Sequence, residues 1–217
     1  MVRFSRDVDL LKWEPVLFVE LASASQTLCR GEDGMLSGTT FTSNSASFDE
    51  AGIATGQVVY LQDGESLDGC YEIVSVDSAT QLTISVLRQS EQDDAVAPPS
   101  GSEKSYRVST FDPQAEEVSY GLLQYFGIET GEEEASAAGE ILNVRSLRQA
   151  SVFGALSAVF AAAACGKNDA SGSWAKSQRY QELFHTARSK VRIELDTDSD
   201  QVAEQFRSGG TVRLRRL

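Results

Sequence analysis

QVVYLQDGESLDGCYEIVSVDSATQLTISVLR, residues 57–88, is the stretch on which the fold turns. Short runs rich in Val, Ile and Tyr are separated by Gly64-Glu65, Asp68-Gly69 and Asp77-Ser78, pairs that favour turns. Across Gln81–Val86, apolar Leu82, Ile84 and Val86 alternate with polar neighbours, the period of a strand with one buried face. The apolar faces are assigned to Val58, Tyr60, Ile73, Val74, Leu82, Ile84 and Val86.

Moving outward, TLCR (27–30), MLSGTTFTSN (35–44) and KSYRVSTF (104–111) read as further short strands, with a turn at Gly34. Six runs at this spacing predict a small antiparallel barrel or sandwich over residues 26–111. Ser90–Lys104 reads as a long polar loop.

The flanks change period. Asp112-Pro113 starts a helix: an N-cap acid, proline at the first position, and Glu116 and Glu117 near the positive end of the dipole. Val118, Leu122, Tyr125 and Phe126 follow at helical spacing, and Gly127 is the stop. A long helix is expected over about 140–165, Ala-rich in its second half, and a last one from Trp174 to about Lys190 with Trp174, Tyr180, Leu183, Phe184 and Ala187 inward. Val191, Ile193 and Leu195 alternate, and so do Val212 and Leu214. A two-stranded C-terminal ribbon joined through residues 196–210 is the simplest reading. An isolated ribbon is marginal in water, so this one is expected to need a supporting surface, such as a neighbouring subunit. Before the β segment, Ser5 is a candidate cap, and Pro15 divides a helical start (Val8, Leu10, Leu11, Trp13) from a second turn.

The expected class is α+β: a small helical bundle with an inserted antiparallel β-barrel or sandwich and a C-terminal β-ribbon. Residues 1–25 form an arm packing on the helical domain, 26–111 the inserted β domain, 112–190 the helical domain and 191–217 the ribbon. The 217 residues, 41% hydrophobic and 24% charged, suit this size and a soluble class. No apolar run reaches the roughly 18 residues that a membrane helix needs, and Ser151–Cys165 reads as a packed core helix. The first 15 residues carry scattered charges rather than a signal peptide's apolar core, which predicts a chain made in the cytoplasm.

A formal net charge of −13 disfavours nonspecific binding to nucleic acid. The charge is split: Asp112–Glu140 holds eight acids and no Lys or Arg, whereas Arg207, Arg213, Arg215 and Arg216 reverse the sign. Oppositely charged faces of neighbouring copies are one reading of this split, and a solvated acidic loop with a basic tail is the other.

The pattern does not point to an enzyme. His185 is the single histidine, and GxSxG, phosphate-loop and dinucleotide-binding motifs are absent. Cys29, Cys70 and Cys165 are widely separated and odd in number, which argues against a disulfide framework or a zinc site. Asp196, Asp198 and Asp200 alternate as in a calcium loop, but Gln201 stands where that loop needs glycine, so a solvated turn is expected. Glu116-Glu117 is a carboxylate pair of the kind 32 acidic residues produce without purpose. Trp13 and Trp174 are assigned to packing or an interface. No catalytic, metal or cofactor residue is assigned.

The helix start FDPQAEEVSYGLLQYFGI (111–128), LRQASVFGALSAVFAAAA (147–164), WAKSQRYQELFHTARSKVRIEL (174–195) and the closing SGGTVRLRRL (208–217) together resemble the head–tail connector proteins of tailed bacteriophages and prophages. The resemblance covers mainly residues 112–217, and the β segment departs from that family's minimal all-helical pattern. It implies a structural virion protein of the neck, between head and tail. Such a subunit forms a homo-oligomeric ring, commonly a dodecamer, whose partners are the portal and the neck or tail-completion proteins. It implies no membrane and at most weak contact with DNA in a channel. Arg207, Val212, Arg213, Leu214, Arg215 and Arg216 are the expected partner-binding residues. A tail- or fibre-associated binding module and a glycosidase-type enzyme are the alternatives.

Overall fold

The computed structural model describes residues 3–21, 23–64, 68–128, 141–166, 171–196 and 200–209. The class is α+β, with two compact units: Arg6–Phe111, and a second made of residues 1–5 with 112–217.

The first unit is a closed six-stranded antiparallel barrel. Its strands are β1 (Thr27–Ser37), β2 (Thr40–Thr42), β3 (Val58–Gln62), β4 (Asp68–Ser78), β5 (Gln81–Ser85) and β6 (Gly101–Ser109), in the order β1-β2-β5-β4-β3-β6 with β6 closing on β1. Gly38, at φ +61°, turns the β1–β2 hairpin, which is why MLSGTTFTSN supplies two strands. Gly34 is not a turn. It lies within β1 at a register shift, where an added Cβ would stand 2.8 Å from the Phe41 ring and 2.7 Å from the Lys104 carbonyl oxygen. Likewise Gly101–Lys104 belongs to β6 rather than to a loop.

Leu36, Phe41, Phe48, Ile53, Val59, Leu61, Ile73, Leu82, Ile84, Tyr106 and Val108 form the barrel core. Leu82, Ile84 and Ile73 point inward as the alternation predicts, but Val86 is exposed and β3 faces the other way. Val59 and Leu61, not Val58 and Tyr60, join this core. Val58 is nevertheless fully buried, because the two N-terminal helices contact β3 from outside. A strand covered on both faces loses the alternation that would reveal its orientation.

Those helices are α1 (Asp7–Leu11) and α2 (Leu17–Glu20), parted at Pro15 as expected. Their partner corrects the expectation that residues 1–25 pack on the helical domain. Leu10, Leu11, Leu17 and Phe18 are buried, Phe18 lies 5.1 Å from the Phe111 ring, and the Arg107 guanidinium donates to the Phe18 carbonyl at 2.7 Å. The Val8 N–H donates to the Gly56 carbonyl (2.9 Å), and the Phe111 N–H to Asp7 Oδ1 (2.8 Å). Arg6, not Ser5, caps α1, its N–H reciprocated by Asp9 at 3.1 Å. Only the first five residues group with the helices.

The second unit holds α3 (Asp112–Tyr125), α4 (Arg148–Gly166), α5 (Ser171–Lys190) and the antiparallel pair β7 (Arg192–Leu195) and β8 (Gln205–Ser208). Gly127 at φ +68° ends α3, with the Ile128 N–H returning to the Leu123 carbonyl. Gly154 of α4 lets α3 and α5 approach, since an added Cβ would lie 2.5 Å from Val118 and 3.2 Å from Phe184. Ser157 and Ser177 each donate a hydroxyl hydrogen bond to the other's carbonyl across α4 and α5, and Tyr180 stacks on Phe160. Phe4 joins Leu122, Leu123, Phe126, Ile141, Leu147, Ile193 and Leu195 in the core, its N–H bonded to Ser119 Oγ at 3.0 Å.

The helix expected over 140–165 begins only at Arg148. Ile141 bridges Leu195 as extended chain, and Val144–Leu147 make a single 3-10 turn. By length and composition alone Val144–Cys165 is apolar enough to cross a membrane, contrary to the first reading of this stretch. It is 61% buried within the protein, as expected of a core helix. Trp174 is not inward: it is 51% exposed.

Candidate interaction surface

The expected partner-binding residues divide at the edge of what is described. Val212, Arg213, Leu214, Arg215 and Arg216 lie outside the described residues. Arg207 lies in β8 and is half-buried. Its guanidinium donates to the Phe126 carbonyl at 3.1 Å and to the Gly127 carbonyl, closing the C-terminal end of α3. Arg207 therefore has a task within its own unit.

The ribbon also differs from its expected form. Gln205–Ser208, assigned to a connection, pairs with β7. Its support is internal: Ile193 and Leu195 are buried in the helical core. The other edge of β7 is taken by residues 141–143. The Leu142 N–H donates to the Glu194 carbonyl, and the Asn143 side chain accepts from the Glu194 N–H (3.0 Å) and donates to the Arg192 carbonyl (2.9 Å). Sequence reasoning missed Asn143, because it placed this residue inside the helix expected over about 140–165. It missed Phe206 too, because AEQFRS carries no alternation.

The outward face of this ribbon is amphipathic. Arg192 lies over the Phe206 ring at 4.2 Å, and Phe206 is 52% exposed. Leu142, Val144 and Val202 are also exposed on this unit. At the β7–β8 turn the carboxylates of Asp196, Asp200 and Glu204 lie within 4.8 Å of one another, the one such group of metal-ligand type among the described residues. Buried Asp196 accepts the Gln201 N–H (2.7 Å) and the Asp200 N–H (3.3 Å), and Gln201 sits at φ +66°. These bonds shape the turn. Asp198 lies outside the described residues.

His185 is exposed, with Nδ1 2.9 Å from the Arg188 guanidinium. Glu116 and Glu117 are adjacent on α3, so their carboxylates diverge rather than flank a shared bond. In the barrel, Asp33 accepts from Ser43 and Ser45, which hold its carboxyl down at about 2. Burial pushes the Cys29 thiol up to about 11 and Cys70 to about 12, while Cys165 is exposed. Glu72 and Arg88 form a buried ion pair at 2.7 Å, and Arg88 also donates to the Asp93 carbonyl. The rings of Phe41, Phe48 and Tyr106 cluster inside the barrel as core, not on a ligand-facing surface. A shallow groove outside them is lined by Met35, Leu36, Thr40, Thr42, Gly101 and Ser102.

No family model, no curated protein and no solved structure matches this chain.

Proposed function

We propose that this chain is a non-enzymatic structural subunit, a head–tail connector of a tailed-phage virion that assembles as a ring between the portal and the neck or tail. The observation that carries the reading is the exposed apolar set on the helical unit, Leu142, Val144, Trp174, Val202 and Phe206, in the part of the chain whose sequence resembles that family. Exposed aromatic and aliphatic side chains beside charged ones are the composition of a protein interface. Two shielded ion pairs, Glu72 with Arg88 and Asp63 with Lys104, support a structural role for these four residues. In this reading the three helices form the adaptor-like part, the barrel decorates the neck, and the basic C-terminal residues contact the neighbouring subunit, the portal or both.

Negative-stain images of the purified chain, alone and mixed with portal, together with cryo-electron microscopy of virions, test this. Several copies around the axis below the portal are expected. A single copy per particle, or none, refutes it.

A further inference from the structure

We infer that the outward sheet face of the helical unit receives α3 of a second copy of this chain, so that each copy docks head to tail on the next. The inference rests on the ring-subunit reading and names the two surfaces that meet.

The receiving face comes first. Residues 141–143 lie along β7, and β7 pairs with β8, so three extended segments run side by side. Ile141, Ile193 and Leu195 are buried in the helical core. Side chains alternate along extended chain, so Leu142, Arg192, Glu194 and Phe206 stand on the opposite face. Val144 and Arg145 follow at its margin, both exposed. The solvated face of an antiparallel sheet is ordinarily polar. Here Leu142, Val144 and Phe206 are exposed instead, and among the described residues neither Arg145 nor Arg192 has a carboxylate partner.

The donated face lies on α3. Glu117, Tyr120, Gly121 and Gln124 are all exposed, and their spacing of three and four residues puts them on one stripe. Glu117 has no cationic partner among the described residues. Gly121 is a helix-interior glycine, which weakens a helix relative to alanine. Nothing in its own copy explains it, since an added Cβ would meet no atom within 4 Å. The gap beside Tyr120 lets an outside surface approach the helix closely.

The two faces are complementary in charge and in shape. Tyr120 supplies a ring for Leu142 and Phe206 and a hydroxyl donor for Glu194. Glu117, one turn before it, supplies the carboxylate that Arg145 and Arg192 lack. Asp196, Asp200 and Glu204 stand at the β7–β8 turn, the end of the sheet away from Arg192, and repel an acidic helix start. That fixes the direction in which α3 lies. Because the giving and receiving surfaces are different parts of one chain, the contact is head to tail, the kind that closes into a ring.

Two full-length chains, each with C165S to remove the exposed thiol, test this under mild oxidation. One carries Tyr120→Cys and the other Val144→Cys, both at exposed positions. Disulfides joining the two different chains are expected to exceed those joining like chains. Arg145→Glu in the second chain should lower the mixed product about threefold, the size of one exposed charge pair, and Glu117→Arg in the first should restore it. Gly121→Leu in the first chain should raise the thermal midpoint of the helical unit yet lower the mixed product at least tenfold, a split that a purely structural role for Gly121 would not give. No disulfide, links mainly between like chains, no rescue, or no loss with Gly121→Leu overturns the inference. Rings below the portal without the mixed product would overturn it and leave the connector reading standing. The mixed product from a chain absent from virions would do the reverse.

Discussion

The barrel unit and the helical unit differ in how they hold buried charge, though in both some side chains also bond backbone, as Arg107 and Asp7 do in the barrel unit. In the barrel, charge meets charge: Glu72 with Arg88 at 2.7 Å and Asp63 with Lys104 at 3.0 Å, all four side chains largely shielded. In the helical unit, neutral or single charged side chains meet backbone: Asn143 on β7, Arg207 on the end of α3, Ser157 and Ser177 across two helices. Charge is unequally shared as well, with 17 acidic and six basic residues in Arg6–Phe111. The barrel is thus vulnerable to losing one partner of a pair, because the survivor stays charged and desolvated. The helical unit loses stability in smaller, separable steps.

One tryptophan falls in each unit, Trp13 and Trp174. Single-tryptophan variants therefore let each unit be followed in the intact chain, and the contrast can be put to experiment.

The largest effect concerns where the barrel unit is cut. Residues 6–111 expressed alone should fold with a cooperative transition and a β-rich circular dichroism spectrum. Residues 26–110 should not, because they lack Leu10, Leu17, Phe18 and Phe111, all essentially fully buried. Equal folding of both fragments would show that α1 and α2 are dispensable.

Next comes Arg88→Met. It leaves Glu72 buried without its cation and should cost the barrel about 3–5 kcal/mol, read from Trp13 fluorescence in urea with Trp174 replaced by Phe. The double variant E72L/R88M should recover most of that. A double variant as unstable as the single one would mean that the pair is not the barrel's weak point.

Asn143→Ala removes two hydrogen bonds from the β7 edge and should cost the helical unit about 1–3 kcal/mol, read from Trp174 with Trp13 replaced. A loss seen by Trp13 instead would break the contrast.

The smallest effect is alkaline. Burial raises Cys29 to about 11 and Cys70 to about 12, above the ordinary thiol value of 9.0. In the unfolded chain these thiols ionise first, so the unfolded state holds fewer protons between the two values and stability falls as pH rises through that window. Barrel stability should decline from pH 9 upward, and Cys29 and Cys70 should resist thiol reagents at pH 8 while Cys165 reacts. Fast labelling of all three in the folded chain would contradict this.

The same contrast explains what could be read from sequence. The β character of residues 27–109, strands β3 to β5, the helix start at Asp112-Pro113 and the stop at Gly127 are specified by a few consecutive residues and were legible, whereas the run of β1 through Gly34 and the start of β6 at Gly101 were not. What was lost depended on partners far along the chain. The orientation of β3 was hidden because α1 and α2 cover its second face. Residues 141–143 gave up the expected helix because β7, some 50 residues later, offers them an edge. Of the candidate surface, Arg207 was visible as a charge, but its bond to the end of α3 was not. Phe206 had no periodic neighbours to mark it.

The helical unit draws on both ends of its chain, and this sets an order of events during synthesis. Phe4 is buried against residues as late as Val191–Leu195, so this core cannot close until those residues have left the ribosome. The barrel has every strand once Ser109 is out. At about 5–20 residues per second, on the order of ten seconds separate the two moments. Throughout that interval every barrel strand is out while Phe4 still lacks the core it is buried in.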